Sequence, residues 1–189
     1  MMAYLIYSRI FGIIIIILGC LCVTRKKIII SQQYYMIFLY TLICGGIAVN
    51  TIWKYQSLLI IAVFYLFSII IAYDIMKGIY NITNIKTETL MPVITNLLDE
   101  KGIVYEVRDN SVVFTNYDNK EIKCKEFLNS TEINFRDIIR LPFYGDVKDS
   151  LLSKVKLIKE TVFPTTGVYL IMMGIILIVV VQLIVNLIR

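Results

Sequence analysis

The chain has 189 residues, a formal net charge of +5 and 58% hydrophobic residues, and its mean hydropathy of +0.76 lies far above that of an ordinary soluble domain. It contains no histidine, which excludes imidazole metal sites, Ser-His-Asp triads and Cys-His dyads within the chain. Residues 77–163 hold thirteen Lys or Arg and thirteen Asp or Glu, so this segment is neutral and offers no clustered basic face for nucleic acid.

The apolar residues fall in four blocks, Tyr4 to Val23, Tyr34 to Trp53, Leu58 to Met76 and Val168 to Ile188. Each is close to the ~20 residues a helix needs to cross ~30 Å of hydrocarbon. Backbone amides in lipid must be satisfied internally, so helices are the expected form. The fold class expected from this pattern is an α-helical multi-pass membrane protein. Three transmembrane helices lie in residues 1–76 and a fourth in residues 164–189, with a small α+β domain, residues 77–163, inserted between the third and fourth.

The first block also fits a bacterial lipoprotein signal, with Arg9, an apolar core and Ile17-Leu18-Gly19-Cys20. Leucine before the glycine fits that pattern poorly, and the basic triplet that follows would resist translocation, so a retained helix is the expectation. Arg25, Lys26 and Lys27 in the first loop, against Lys54 in the second, place the first loop and residues 77–163 in the cytoplasm. Both termini are then extracytoplasmic and the location is a prokaryotic plasma (inner) membrane. Tyr4, Tyr7, Trp53 and Tyr55 would mark one water interface and Tyr34, Tyr35, Tyr73 and Tyr80 the other.

Residues 77–163 read first as a helix capped by Thr87 or Thr89, with Pro92 in its first turn, Gly102 at its end and Val93, Ile94, Leu97 and Leu98 as its buried stripe. Alternation then predicts three antiparallel strands: Ile103, Tyr105 and Val107, a turn at Asp109-Asn110, Val112 and Phe114, and, after the Asn116 to Asn119 loop, Ile122 and Cys124. Asn129 with Glu132 resembles a capping box while Ile133 and Phe135 alternate as a strand would, and of the two a short helix to Arg140 is favoured. Asp146 is expected to cap a last amphipathic helix with Val147, Leu151, Val155, Ile158 and Val162 on one face and Lys148, Lys154, Lys156 and Lys159 elsewhere. That lysine-bearing helix is read chiefly as an ordinary domain helix, and secondarily as one lying on an anionic leaflet.

Asp74 is the only acid in the apolar blocks. A structural ion pair with Lys77 or with Arg25, Lys26 and Lys27 explains it more simply than an ion path. Asn50, Gln182 and Asn186 are the other polar candidates, the last two one turn apart on one helix face. Gly12 and Gly19, Gly167 and Gly174, each seven apart, and Gly45-Gly46 suit close helix packing. Cys20, Cys22, Cys44 and Cys124 form no disulfide or zinc spacing, and Cys124 is expected in the core. Asn81-Ile-Thr83 and Asn129-Ser-Thr131 match the glycosylation pattern, which a cytoplasmic domain cannot use.

These features point to a non-enzymatic accessory, scaffold or regulatory protein, with no catalytic, metal or cofactor residues. Its partners are the lipid bilayer and either another membrane protein or a second copy of the chain. Neither nucleic acid nor a small-molecule ligand is indicated. The rival is a small oligomeric channel or transporter in which Asp74, with Asn50, lines the path.

Overall fold

The computed structural model describes residues 2–51, 55–159 and 162–188, without the side chains of residues 2–5, 46–51, 55–58 and 188. Among the described residues the elements are α1 (Met2–Val23), β1 (Ile29–Ser31), α2 (Gln32–Thr51), α3 (Tyr55–Ile75), β2 (Ile79–Thr83), α4 (Thr87–Glu100), β3 (Glu106–Arg108), β4 (Ser111–Phe114), β5 (Lys120–Phe127), β6 (Ser130–Asn134), a 3-10 turn (Arg136–Ile138), α5 (Tyr144–Leu157) and α6 (Thr165–Ile188). They divide into a helical unit, Met1–Thr24, Gln33–Met76 and Thr165–Arg189, and a sheet unit, Arg25–Gln32 and Lys77–Pro164.

This architecture corrects the expected four-helix membrane protein with a small inserted domain. Among the described residues six helices accompany one six-stranded antiparallel sheet, and two of those helices are long and apolar enough to cross a membrane, over Ile6–Val23 and Thr165–Leu187. Of α2, which holds the second apolar run, side chains are described only over residues 32–45, too short a stretch to count as a span. The third falls short because the apolar stretch of α3 runs only from Leu59 to Ile75 among the described residues. Trp53, at the end of the second run, and Lys54, in the loop after it, lie outside the described residues.

In the sheet unit the strand order is β1-β2-β6-β5-β4-β3, all neighbours antiparallel. One face carries Ile82, Val112, Ile122, Cys124 and Ile133, which are buried with Leu90, Ile94, Leu97 and Leu98 of α4 and Val147, Leu151 and Val155 of α5. Phe135, fully buried, stacks edge-on to Tyr80 and Tyr144 at 6.0 Å from each ring centre. The face of α5 that could have met lipid is therefore the face that closes this core. Val162 lies beyond the end of that helix.

Three strands, β1, β2 and β6, go beyond the three expected, and the helix expected over residues 129–140 is instead β6 followed by the 3-10 turn. Ser130 to Asn134 pair with β2 on one side and β5 on the other. Ladder bonds on both edges outweigh the local capping signal that Asn129 and Glu132 provide. The first loop is likewise not a plain connector, because Ile29 to Ser31 extend the sheet against Ile82 to Tyr80.

The helix ends also differ from expectation. Lys86, not a threonine, occupies the N-cap of α4 without a side-chain cap. The Glu126 carboxylate accepts the Thr87 amide at 3.1 Å, so a neighbouring strand supplies the negative charge favoured at a helix start. Because α4 begins at Thr87, Pro92 falls after the first turn and leaves the Glu88 carbonyl without its usual donor. Gly102, at φ +64°, closes the helix as expected. Its amide bonds Asp99 at 3.0 Å and the Ile103 amide bonds Leu98 at 3.0 Å, a Schellman pattern that a left-handed residue makes possible. In α5 the N-cap is Phe143, and Asp146 sits inside the first turn rather than capping it.

Candidate functional site

Within the helical unit, α1 and α6 pack antiparallel through their glycines. A Cβ at Gly19 would lie 2.8 Å from the Gly167 carbonyl, and one at Gly167 would lie 2.8 Å from the Gly19 carbonyl. At Gly174 it would lie 2.8 Å from the Gly12 carbonyl, whereas at Gly12 the closest atom is the Ile178 side chain, at 2.7 Å. The glycines remove side chains where two backbones meet, which is what lets them meet. Away from this seam Ile6, Ile10, Ile13, Ile17 and Leu21 of α1 and Met172, Ile175, Ile176, Val179 and Leu183 of α6 are exposed. So continuous an apolar surface is costly in water and marks contact with lipid or protein.

The polar candidates of this unit are brought together in part. The Arg9 guanidinium donates to Gln182 Oε1 at 2.5 Å, and Gln182 Nε2 donates to Asn186 Oδ1 at 3.2 Å. Sequence reading linked Gln182 with Asn186 but missed Arg9, whose partner lies on a helix 173 residues away in the chain. The Tyr7 hydroxyl donates to the Leu42 carbonyl, and a Cβ at Gly45 would lie 3.3 Å from that hydroxyl. The surroundings of Gly46 and the side chain of Asn50 lie outside the described residues.

Asp74 is exposed one residue from the end of α3. The ion pairs among the described residues join Arg108 to Glu106, Lys123 to Glu121, Lys148 to Asp149 and Lys154 to Glu100. Asp74, Lys77, Arg25 and Lys26 take part in none of these four.

Lys26 and Lys27 serve another purpose in the sheet unit. Asn84, at φ +59°, donates from Nδ2 to the Lys26 carbonyl at 2.9 Å, and its own carbonyl accepts Lys27 Nζ at 2.5 Å. Asn129 Nδ2 donates to Asn84 Oδ1 at 2.8 Å, and the Asn129 carbonyl accepts the Ile85 amide at 3.1 Å. The Thr131 hydroxyl donates to the Ile85 carbonyl at 3.0 Å. Three separate segments, the first loop, the β2–α4 junction and the β5–β6 hairpin, are thus held by one buried polar cluster. Asn129 is buried rather than presented as a glycosylation acceptor would be. Such groups cost stability when stranded, so Asn84→Ala is expected to destabilise the sheet unit by about 1–3 kcal/mol and to speed tryptic cleavage after Arg25 to Lys27. Asn84→Gly, which suits the left-handed backbone but lacks the amide, should be cleaved almost as fast; equal resistance to the parent chain would show that the amide contacts matter little.

The open face of the sheet is charged and alternating in sign. Glu121 and Lys123 pair at 2.7 Å, and the hydrogen bond from Lys123 holds the Glu121 carboxyl below its ordinary range while Lys123 is raised by the same bond. Lys125 stands opposite Glu132 in register. A groove between α4 and α5 is lined by Val93, Asn96, Glu100, Lys154, Leu157 and Ile158 and bridged by the Glu100–Lys154 pair. Burial pushes the Cys124 thiol up to about 12, so it is a protonated core group rather than a nucleophile. Among the described residues no cluster of three or more His, Cys, Asp or Glu could hold a metal ion.

No protein-family model, curated protein or solved structure matches the chain.

Proposed function

We propose that this protein is a non-enzymatic, membrane-associated accessory or scaffold protein. Its α1–α6 pair sits in the bilayer, and its sheet unit, on the cytoplasmic side, binds a partner. The observation that carries this reading is the pairing of α1 with α6. Two helices long enough to cross a membrane meet backbone to backbone through glycines and turn isoleucine, leucine, methionine and valine outward. The cytoplasmic side is supported by Arg25, Lys26 and Lys27, which directly follow the first of these helices. A binding role is supported by the sheet unit's own closed core, its charged open face and the inert state of its buried thiol.

The test is fractionation followed by labelling. The chain should stay with membranes through an alkaline carbonate wash. With the native cysteines replaced, a single cysteine at Asn119→Cys should resist a membrane-impermeant thiol reagent in intact cells and react after lysis, while Arg189→Cys should react in both. Release by carbonate would sink the membrane assignment. Labelling of Asn119→Cys in intact cells would instead put the sheet unit outside.

A further inference from the structure

We propose that the tip of the β5–β6 hairpin, Phe127 and Leu128, is an interfacial anchor that enters the headgroup layer of an anionic lipid surface. This rests on the membrane reading above and adds to it a specific lipid-binding element outside the two candidate spans.

The hairpin turn places two large apolar side chains side by side in the open, Phe127 at 74% and Leu128 at 47% exposure. Leu128 adopts φ +56°, a backbone conformation that a β-carbon disfavours and that glycine or asparagine would take more readily. The next residue holds it there, because buried Asn129 is bonded through its amide to Asn84 and through its carbonyl to Ile85. The tip is therefore a rigidly presented apolar edge, not a loop folding back on the core.

Its surroundings fit one kind of partner. Lys125 precedes the tip on the exposed face of β5, and Lys86 is exposed beside the helix start that Glu126 caps. The Asn84 side chain joins the turn to the carbonyl of exposed Lys26, and in sequence Lys26 follows the candidate span Ile6–Val23 by three residues. Glu126, next to Phe127, accepts the Thr87 amide at 3.1 Å, which turns its carboxylate toward the start of α4 while leaving it charged. An exposed aromatic and an exposed aliphatic side chain, with exposed Lys26, Lys86 and Lys125 on the three segments that meet at the turn, form a composition that partitions to a negatively charged membrane interface.

The experiment uses the full chain in vesicles containing phosphatidylglycerol and lipids brominated on their acyl chains. Trp53, the single tryptophan, is replaced by Trp53→Phe, and new tryptophans are introduced one at a time as Phe127→Trp, Asn116→Trp and Met172→Trp. The expected result is a blue-shifted Phe127→Trp emission quenched by bromine near the headgroups, weaker quenching when phosphatidylglycerol is replaced by a zwitterionic lipid, and no quenching of Asn116→Trp in the opposite turn of β5. Met172→Trp, on α6, should be quenched by deeper bromines. An unquenched Phe127→Trp beside a quenched Met172→Trp overturns the anchor and leaves the membrane reading standing. A blue shift at Phe127→Trp without quenching also overturns it, since the tip would then be covered by protein. Loss of quenching at Met172→Trp removes the membrane reading itself.

Discussion

Truncating Phe135 to alanine is expected to cost the sheet unit about 3–5 kcal/mol, the range for removing a buried aromatic side chain and leaving its cavity. The ring is fully buried where β6 passes into the 3-10 turn, and it meets Tyr80 of β2 and Tyr144 of α5 edge-on. Deleting it therefore removes ring contacts to two other elements, β2 and α5, at once. Domains are stable by only about 5–15 kcal/mol, so Phe135→Ala should remove about a third to a half of the stability of a unit in the middle of that range. Phe135→Leu keeps most of the volume and should cost well under half as much. Urea unfolding followed by a probe in the sheet unit would measure both. Equal, small effects would mean that the aromatic cluster is peripheral to the core.

Phe135 also marks a limit on what its local sequence reveals. Around it, Asn129 and Glu132 imitate a helix start, whereas Ile133 and Phe135 alternate as a strand does, and only pairing with β2 and β5 decides between them. The same holds for β1 and β2, whose partner residues Ile29 and Ile82 are far apart in the chain and whose short segments carry no clean alternation. Strand β2 buries Ile79 on one face and Ile82 on the other, which erases the period of two. Elements governed by neighbours in sequence were legible: the stripe Ile94, Leu97 and Leu98, the Gly102 stop and the turn at Asp109 and Asn110. In the helical unit run length alone suggests four spans, whereas among the described residues two helices are long and apolar enough to cross a membrane. Of the candidate residues, the glycines carried a visible spacing of seven. The Asn84–Asn129 cluster and the Phe127–Leu128 tip carried no local signal, because both depend on a turn that only the completed sheet creates.

Alanine at Gly19, Gly167 or Gly174 is expected to loosen the α1–α6 pair by about 1–3 kcal/mol each, the cost of forcing a methyl group into closed packing. Alanine at Gly12 should cost markedly less. The ranking follows from what each new Cβ would strike. At Gly19, Gly167 and Gly174 it meets a backbone carbonyl at 2.8 Å, and a backbone moves only by moving the whole helix. At Gly12 the obstacle is the Ile178 side chain, and the nearest backbone oxygen stands off at 3.3 Å, so a rotamer change absorbs most of the clash. Gly19 and Gly167 approach the same point from opposite sides, so once one alanine has separated the helices the second meets less resistance. Gly19→Ala with Gly167→Ala should therefore cost less than the sum of the single changes, the coupling expected of residues in contact. Denaturant titration of the full chain in mild detergent, followed by a distance probe between α1 and α6, would read the series. A flat ranking, with Gly12→Ala as damaging as Gly167→Ala, would mean that the damage does not come from the carbonyl clashes, and helix propensity cannot be its source because it favours alanine over glycine. The opposed pair of backbones would then not be what holds the two candidate membrane helices together.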